Sequence, residues 1–273
     1  CMRGIPSNTG TKKLAPNNTD AESSDLNYLR LSADGFRLAT GNAQINADGD
    51  TYIYMAIRRS DGYVGKPVED SSKVFAMDTG SSSSTIPAMD SNFVVDMALY
   101  RKPEDANSWG LTTRLMGTNQ LYTNNTSAEG TDADLVFDSN VGWAKGSTFN
   151  SDQQSWMWKR HAGFDVVTYK GDGLTAGKQL SHSLSKTPEM IWVKDRDSAA
   201  GDWAVFHKGM NSGTNPQNYY MFLNAISAES TGTSMWKDTA PTSTHFTVGY
   251  AEPTNKARNY IAMLFASVDG ISK

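Results

Sequence analysis

The apolar residues of this chain fall in short runs separated by polar turns. Residues 164–169 and 260–266 are typical runs, because they are rich in β-branched and aromatic side chains and bounded by Gly, Asn or Asp. No stretch keeps apolar residues at the i, i+3, i+4, i+7 spacing of an amphipathic helix over three turns. The pattern predicts an all-β protein with strands about every 8–12 residues and little helix.

One ten-residue motif occurs three times, at residues 14–23, 121–130 and 221–230. An Ala-Glu pair begins at residues 21, 128 and 228, and these starts are 107 and 100 residues apart. An Asn stands four positions before each pair, as listed here: Asn17, Asn124 and Asn224. Three matches in register indicate an internal repeat of about one hundred residues.

Other segments match at similar offsets. Residues 51–57 align without gaps on residues 259–265, 208 positions later. We also align residues 93–98 with residues 190–195, and the segments that follow them up to Trp109 and Trp203. We therefore predict that Trp109 and Trp203 occupy equivalent places in two copies of one unit, as do Asn124 and Asn224.

The repeat predicts tandem β-sandwich units of jelly-roll or concanavalin-like type. Residues 1–62 correspond to the C-terminal half of a unit, and residues 63–163 and 164–273 to two complete units. The equivalent boundaries leave no linker between units. We therefore expect adjacent units to pack end to end with little freedom.

The half unit at residues 1–62 contains apolar residues that half a sandwich would leave exposed, namely Phe36, Tyr52, Ile53 and Met55. Uncovered strand edges and apolar faces favour aggregation. We expect strands from elsewhere to cover these residues. An upstream part of a longer polypeptide is the favoured source, and a neighbouring subunit or a partner protein are the alternatives.

Charge and composition exclude several classes of protein. The net charge is −4, and no Lys/Arg cluster is large enough to hold a polyanion, so we expect no nucleic-acid partner. The longest apolar run is far shorter than the roughly 20 residues of a membrane helix, so we expect no membrane insertion. A single cysteine, Cys1, permits no intrachain disulfide.

Candidate catalytic residues are not found. The four histidines have neither a metal-ligand spacing nor a nucleophile motif around them. Glu22, Glu129 and Glu229 recur as single acids in polar loops, whereas a glycosidase needs two facing carboxylates. We predict no hydrolase or lyase activity and a structural role for these glutamates. No ligand-binding residue can be named from the sequence.

One acidic loop is a candidate calcium site. Asp195, Asp197 and Asp202 place three carboxylates within eight positions, and Ca²⁺ takes several oxygen ligands from such loops. A solvated hairpin loop is the alternative interpretation. We expect no other cofactor.

Four segments carry a resemblance to a known family: residues 163–173, 186–197, 203–208 and 236–242. They resemble a repeat domain of uncharacterised function in structural proteins of tailed bacteriophages, particularly tail fibres of marine phages. The resemblance implies a concanavalin-like sandwich in a virion protein, and it supplies no catalytic residues.

We therefore expect a bacteriophage virion protein, located in the extracellular particle, that forms a tail-fibre or adhesion segment and binds host-surface glycan. The expected partners are other virion proteins, the glycan and further copies of the chain, for which a trimer is a plausible symmetry. One alternative is an architectural virion spacer or capsid-decorating protein without a ligand. Another is a carbohydrate-binding module of a secreted bacterial protein.

Overall fold

The computed structural model describes residues 2–4, 11–13, 23–26, 28–31, 36–38, 45–52 and 70–272. The chain divides into two compact units, Cys1–Arg58 and Arg59–Lys273. In the described residues every regular element is a β-strand or a short 3-10 turn. The predicted all-β fold class is therefore confirmed. No helix in this part of the chain is long and apolar enough to cross a membrane.

The first unit contains two small antiparallel sheets. Strands β1 (Met2–Gly4), β2 (Thr11–Lys13) and β3 (Ser23–Leu26) form one sheet in that order, and β4 (Leu29–Leu31) pairs with β5 (Phe36–Leu38). Of the apolar residues expected to need a cover, Tyr52 is exposed. Ile53, Met55 and the side chain of Phe36 lie outside the described residues, so the half-unit hypothesis stays a prediction.

The second unit contains the remaining strands. The first eight are β6 (Phe75–Thr79), β7 (Met89–Asp90), β8 (Met97–Arg101), β9 (Gly110–Thr113), β10 (Asn119–Tyr122), β11 (Gly130–Thr131), β12 (Gly142–Trp143) and β13 (Gln154–Trp158). The others are β14 (Phe164–Lys170), β15 (Lys178–Ser181), β16 (Met190–Asp195), β17 (Ala204–His207), β18 (Tyr219–Phe222), β19 (Ser230–Thr231), β20 (His245–Val248) and β21 (Asn259–Phe265). The 3-10 turns are Ser71–Lys73, Arg114–Met116, Met210–Gly213 and Pro216–Asn218.

These strands form two six-stranded sheets with the same order. The first runs β11-β10-β9-β8-β13-β6 and the second β19-β18-β17-β16-β21-β14. A two-stranded ribbon accompanies each sheet, β7 with β12 and β15 with β20. We call residues 70–163 the first sheet unit and residues 164–272 the second. The predicted boundary between residues 62 and 63 lies outside the described part, so the three-domain division stays a prediction.

Alternating side chains give each large sheet two apolar faces. On β21, Tyr260, Ala262 and Leu264 belong to one buried cluster, whereas Ile261 and Met263 belong to another. This period of two is what a strand imposes when both faces are covered. Each large sheet therefore has an inner face, which packs on its own two-stranded ribbon, and an outer face, which points away from that ribbon.

The outer faces of the two sheets pack on each other. One apolar cluster combines Met97, Leu111 and Leu121 of the first sheet unit with Phe164 and Met263 of the second, among others. The result is four layers, ribbon, sheet, sheet and ribbon, with a β-sandwich at the centre. The expectation that the units pack end to end is therefore wrong, since they overlap face to face.

The register of the sheets also corrects one sequence match. Trp158 pairs with Met97 in the first sheet, and Phe265 pairs with Met190 in the second. Met97, and not Phe93, therefore stands at the position of Met190. Phe93 packs in the inner cluster of its own unit. The misalignment arose because residues 93–95 are all buried, and a run that is apolar at every position does not fix the register.

The turn that joins the two sheet units contains a buried histidine, His161. Its backbone exchanges hydrogen bonds with Phe164, and its Nδ1 accepts the Gly163 N–H at 3.0 Å. Burial, together with the nearby Lys159 charge, lowers the pKa of His161 from 6.5 to about 4. The neutral ring is therefore the form that the fold accommodates.

We expect acid to destabilise the protein through this group. The unfolded chain takes up the proton near pH 6.5 and the folded protein only near pH 4, so the contribution is complete above pH 6.5 and is lost as the pH falls. The loss should reach roughly 3 kcal/mol by pH 4. Urea unfolding at several pH values should show a weaker pH dependence for His161→Asn than for the control His207→Asn. Equal pH dependence in both variants would contradict the assignment.

Candidate docking surfaces

The repeated motif of the first sheet unit forms a loop that contacts the second sheet unit. We call residues 123–129 the docking loop and residues 196–203, which connect β16 to β17, the receiving hairpin. The Thr126 hydroxyl donates to the Ala199 carbonyl at 2.8 Å. The Glu129 N–H donates to the Arg196 carbonyl at 2.9 Å, and Arg196 Nε donates to the Glu129 carboxylate at 2.7 Å. The recurring glutamate therefore forms an ion pair between the units here.

A buried lysine completes this contact. Lys194 is fully buried, and its Nζ donates to the carbonyl of Asp195 at 2.8 Å and across the interface to the carbonyl of Thr126 at 3.1 Å. Burial lowers the pKa of Lys194 to about 8, against the opposing effect of nearby carboxylates. A lysine with a lowered pKa can mark a nucleophile or base. Here its donors bind backbone carbonyls, so the geometry gives it a structural role.

The recurring asparagine has one role in both sheet units. Asn124 Oδ1 accepts the backbone N–H of Trp109 at 3.0 Å, and Asn224 Oδ1 accepts that of Trp203 at 2.8 Å. The asparagine thereby fixes the residue that precedes β9 in one unit and β17 in the other. These two hydrogen bonds agree with the predicted equivalence of Asn124 with Asn224 and of Trp109 with Trp203. The shared hydrogen bond explains why the loop motif recurs together with a tryptophan that lies far from it in sequence.

The two tryptophans differ in what covers them. Trp203 has 0% exposure, and its indole Nε1 donates to the Tyr122 carbonyl of the first sheet unit at 2.9 Å. Trp109 is partly exposed, and its Nε1 has no partner among the residues the structure describes. Its ring lies 5.2 Å from that of Trp156, and the Arg101 guanidinium lies 4.9 Å above it.

The three aspartates proposed to bind calcium form hydrogen bonds within the fold. Asp195 accepts the Asp197 N–H at 2.9 Å and forms an ion pair with Arg258 at 2.8 Å. Asp197 accepts the backbone N–H of Asn259 at 2.8 Å, and Asp202 accepts from the Asn224 side chain at 2.8 Å. In the described part of the chain, no three His, Cys, Asp or Glu residues are grouped so that they could hold a metal ion.

We expect calcium to leave the thermal midpoint unchanged. Arg258 already supplies the positive charge at Asp195, and hydrogen bonds to Asp195 and Glu252 raise the pKa of this arginine. Melting in millimolar CaCl₂ and in EDTA should therefore give the same midpoint, because a ligand that binds only the folded state raises it. A calcium-dependent rise that Asp197→Asn abolishes would contradict this.

The other recurring acids and the histidines also bind backbone or hydroxyl groups. The Glu229 carboxylate accepts the Asn211 N–H at 3.0 Å, and Glu22 lies outside the described residues. The remaining histidine contacts are His182 Nε2 with the Thr242 carbonyl, His207 Nδ1 with the Gly209 N–H, and His245 Nδ1 with the Thr244 hydroxyl. These contacts agree with structural roles.

The neighbouring sheet covers only part of each outer sheet face. In the first sheet unit the less covered part is the β6 surface, which we define as the exposed Phe75 and Met77 and the half-buried Trp109 and Trp156. Met77 is 56% exposed, and the ring of Phe75 lies 5.1 Å from that of Trp158 in a tilted arrangement. This surface is an aromatic patch beside the hairpin that connects β8 to β9.

In the second sheet unit the less covered part is the β18 surface, which we define as Met221, Leu223 and Ile226. Ile226 is 107% exposed, and Met221 and Leu223 are exposed as well. The residues at the same places of the motif in the first unit are covered: Leu121 is 0% exposed and Thr123 is buried. The same motif therefore lies in an interface in the first sheet unit, whereas in the second its apolar side chains are exposed.

A narrow depression beside Trp236 is lined by Ile191, Phe206 and Phe246, among others. It lies on the inner side of the second sheet, away from the surfaces described above.

The fold defines an all-β sandwich protein with apolar residues exposed on each of its two large sheets. A family model described as a domain of unknown function (DUF7483) matches residues 70–273, which is most of the chain, and the protein belongs to this family. The matched span covers both sheet units together. No curated protein and no solved structure matches the chain.

Proposed function

We propose that the protein is a structural segment of a bacteriophage virion, within a tail fibre that contacts the host cell surface. The observation that carries this proposal is the way the two sheet units are fixed to each other. A shared apolar cluster and the docking loop join them, with the Thr126–Ala199 and Glu129–Arg196 contacts at the rim. Such a segment can hold a fixed length and orientation in a fibre.

The resemblance of residues 163–173 and 186–197 to phage structural proteins supports the same proposal. So does the use of the polar groups: Lys194, Asp195 and Glu129 stabilise loops and the interface. The proposal includes contact with host glycan, which the exposed surfaces of the two sheets would make. Many copies in one fibre give useful avidity even when each site is weak.

The location of the chain tests the proposal first. Mass spectrometry of purified phage particles should detect the chain, and gold-labelled antibody against residues 70–273 should decorate the fibres. Antibody pre-adsorbed with the purified protein is the control. A chain that is absent from particles and is secreted by a bacterium would overturn the proposal and favour the carbohydrate-binding module.

Contact with the host is tested separately. The purified protein should bind host cells and reduce phage adsorption, and periodate treatment of the cells should remove the binding if glycan is recognised. If the antibody labels the fibres but the purified protein does not reduce phage adsorption, the host-contact part of the proposal is rejected and the architectural spacer is favoured.

A further inference from the structure

The turn that joins the two sheet units, residues 159–163, closes around a buried histidine. We call this turn the joint. His161 is 5% exposed, and its Nδ1 accepts the Gly163 N–H at 3.0 Å. A Cβ added at Gly163 would lie 2.7 Å from His161 Cε1 and 2.9 Å from Val268 Cγ2, so the backbone and the ring are in close contact. The ring can therefore leave this site only if the joint opens.

A buried carboxylate fixes the joint to both sheet units. Asp165, the second residue of β14, is 0% exposed and accepts from the Arg160 guanidinium at 2.6 Å and from the Ser183 N–H at 2.8 Å. The Arg160 backbone N–H donates to the carboxylate of Asp96, in the first sheet unit, at 2.8 Å. Arg160 thus connects a carboxylate of the first sheet unit with one of the second.

A second buried histidine acts on the same carboxylate. His182 is 7% exposed, and its Nδ1 accepts the N–H two residues further along the chain at 3.3 Å, as in the joint. Burial lowers the pKa of His182. A hydrogen bond to the Thr242 carbonyl and the charge of Asp165 oppose this shift, and the charge of His245 adds to it. Two buried rings with the same kind of hydrogen bond therefore stand near Asp165.

Each ring accepts its hydrogen bond only when Nδ1 is unprotonated. A protonated imidazole donates from both nitrogens, so Nδ1 of His161 would face, as a donor, the backbone N–H that it now accepts. The charged groups around the ring do not offset this loss. Lys159 opposes protonation, and the carboxylates of Asp96 and Asp165 already accept from Arg160. Acid therefore acts against the closed joint.

We propose that the joint is an acid-operated latch: protonation of His161 releases the ring and opens residues 159–163, while the sheet on either side stays folded. Each large sheet keeps an inner apolar cluster of its own, and neither cluster contains a residue of the joint. The orientation of the two sheet units then depends on the shared apolar cluster and the docking loop, without the joint. This inference extends beyond the proposed function and does not depend on it.

Native-state hydrogen exchange of the full chain, followed by mass spectrometry in low urea at several pH values, tests the latch. After correction for intrinsic exchange rates, protection of the Gly163 and Phe164 amides should fall roughly a hundredfold from pH 7 to pH 4. Because a local opening exposes little surface, this protection should not change with urea. The amides of β17 should lose protection as urea is added, since they exchange through wider unfolding.

Three variants separate the latch from a general effect of acid. His161→Asn keeps an acceptor for the Gly163 N–H but does not titrate, so the joint should stay protected at pH 4. Gly163→Ala crowds the ring and should leave the joint open already at pH 7, with β17 still protected. His207→Asn is the matched control, because His207 is exposed and its Nδ1 accepts the Gly209 N–H; it should keep the wild-type pH dependence.

Three results would overturn the inference. The first is protection of the joint that does not change with pH in the wild-type chain. The second is the same urea dependence at the joint and at β17, which would mean that the joint opens only when the protein unfolds. The third is a His161→Asn variant whose joint loses as much protection in acid as that of the wild type.

Discussion

Replacing Trp203 with alanine is expected to destabilise the protein by about 3–5 kcal/mol, the cost of deleting a large buried aromatic side chain. Trp203 is fully buried in the cluster shared by the two sheets, and its indole donates to the Tyr122 carbonyl. The variant therefore loses apolar contact on both sides of the interface and the indole hydrogen bond to the Tyr122 carbonyl. Urea unfolding followed by circular dichroism measures the loss.

Trp109→Ala is the matched control for this change. Trp109 has the same backbone hydrogen bond to its asparagine, but its ring is partly exposed and lies outside the shared cluster. We expect a loss of about 1–2 kcal/mol, since less apolar area leaves water on folding. Similar losses in the two variants would mean that the interface contributes little to the burial of Trp203.

Asp195→Ala is the second change with a large expected effect, a loss of about 3 kcal/mol. The carboxylate is fully buried and accepts the N–H groups of Asp197 and Ser198. Its other oxygen pairs with Arg258. Removal leaves these donors without an acceptor and frees the start of the receiving hairpin.

Two companion variants make the Asp195 prediction specific. Asp195→Asn keeps the volume and one acceptor oxygen, so its loss should be intermediate. Asp197→Ala alters an exposed aspartate of the same hairpin and should cost less than either. An Asp195→Ala variant as stable as Asp197→Ala would contradict the described network.

The strands and the equivalence of the recurring asparagines and tryptophans could be predicted from the sequence, because both rest on local pattern or on repetition. Alternating and continuous apolar runs identify strands such as β14 and β21. The motif marks Asn124 and Asn224 without structural information, although the tryptophan N–H groups they bind could not be named.

The face-to-face packing could not be predicted, because nothing local encodes it. Thr126 and Ala199 are 73 residues apart, and neither has an unusual neighbourhood in the sequence. Met77 and Ile226 illustrate the difficulty, because both are as apolar as buried residues and yet are exposed. Sequence alone does not tell a covered from an uncovered apolar position.

The calcium hypothesis shows a similar limit. An acidic loop has the same sequence whether its carboxylates bind a cation or backbone N–H groups. Arg258, which forms the ion pair with Asp195, lies 63 positions away, so the sequence does not show that this carboxylate has a basic partner. The hydrogen-bond partners of the three aspartates could be found only in the fold, and the calcium hypothesis stays a prediction.

Hydrogen exchange measured by mass spectrometry tests most directly whether the two sheet units form one body. We expect β13 and β21, which are equivalent interior strands of the two sheets, to open together with the same free energy, and Trp203→Ala to lower protection in both. Opening of β13 while β21 keeps its full protection, with Trp203→Ala affecting only the second sheet, would contradict it.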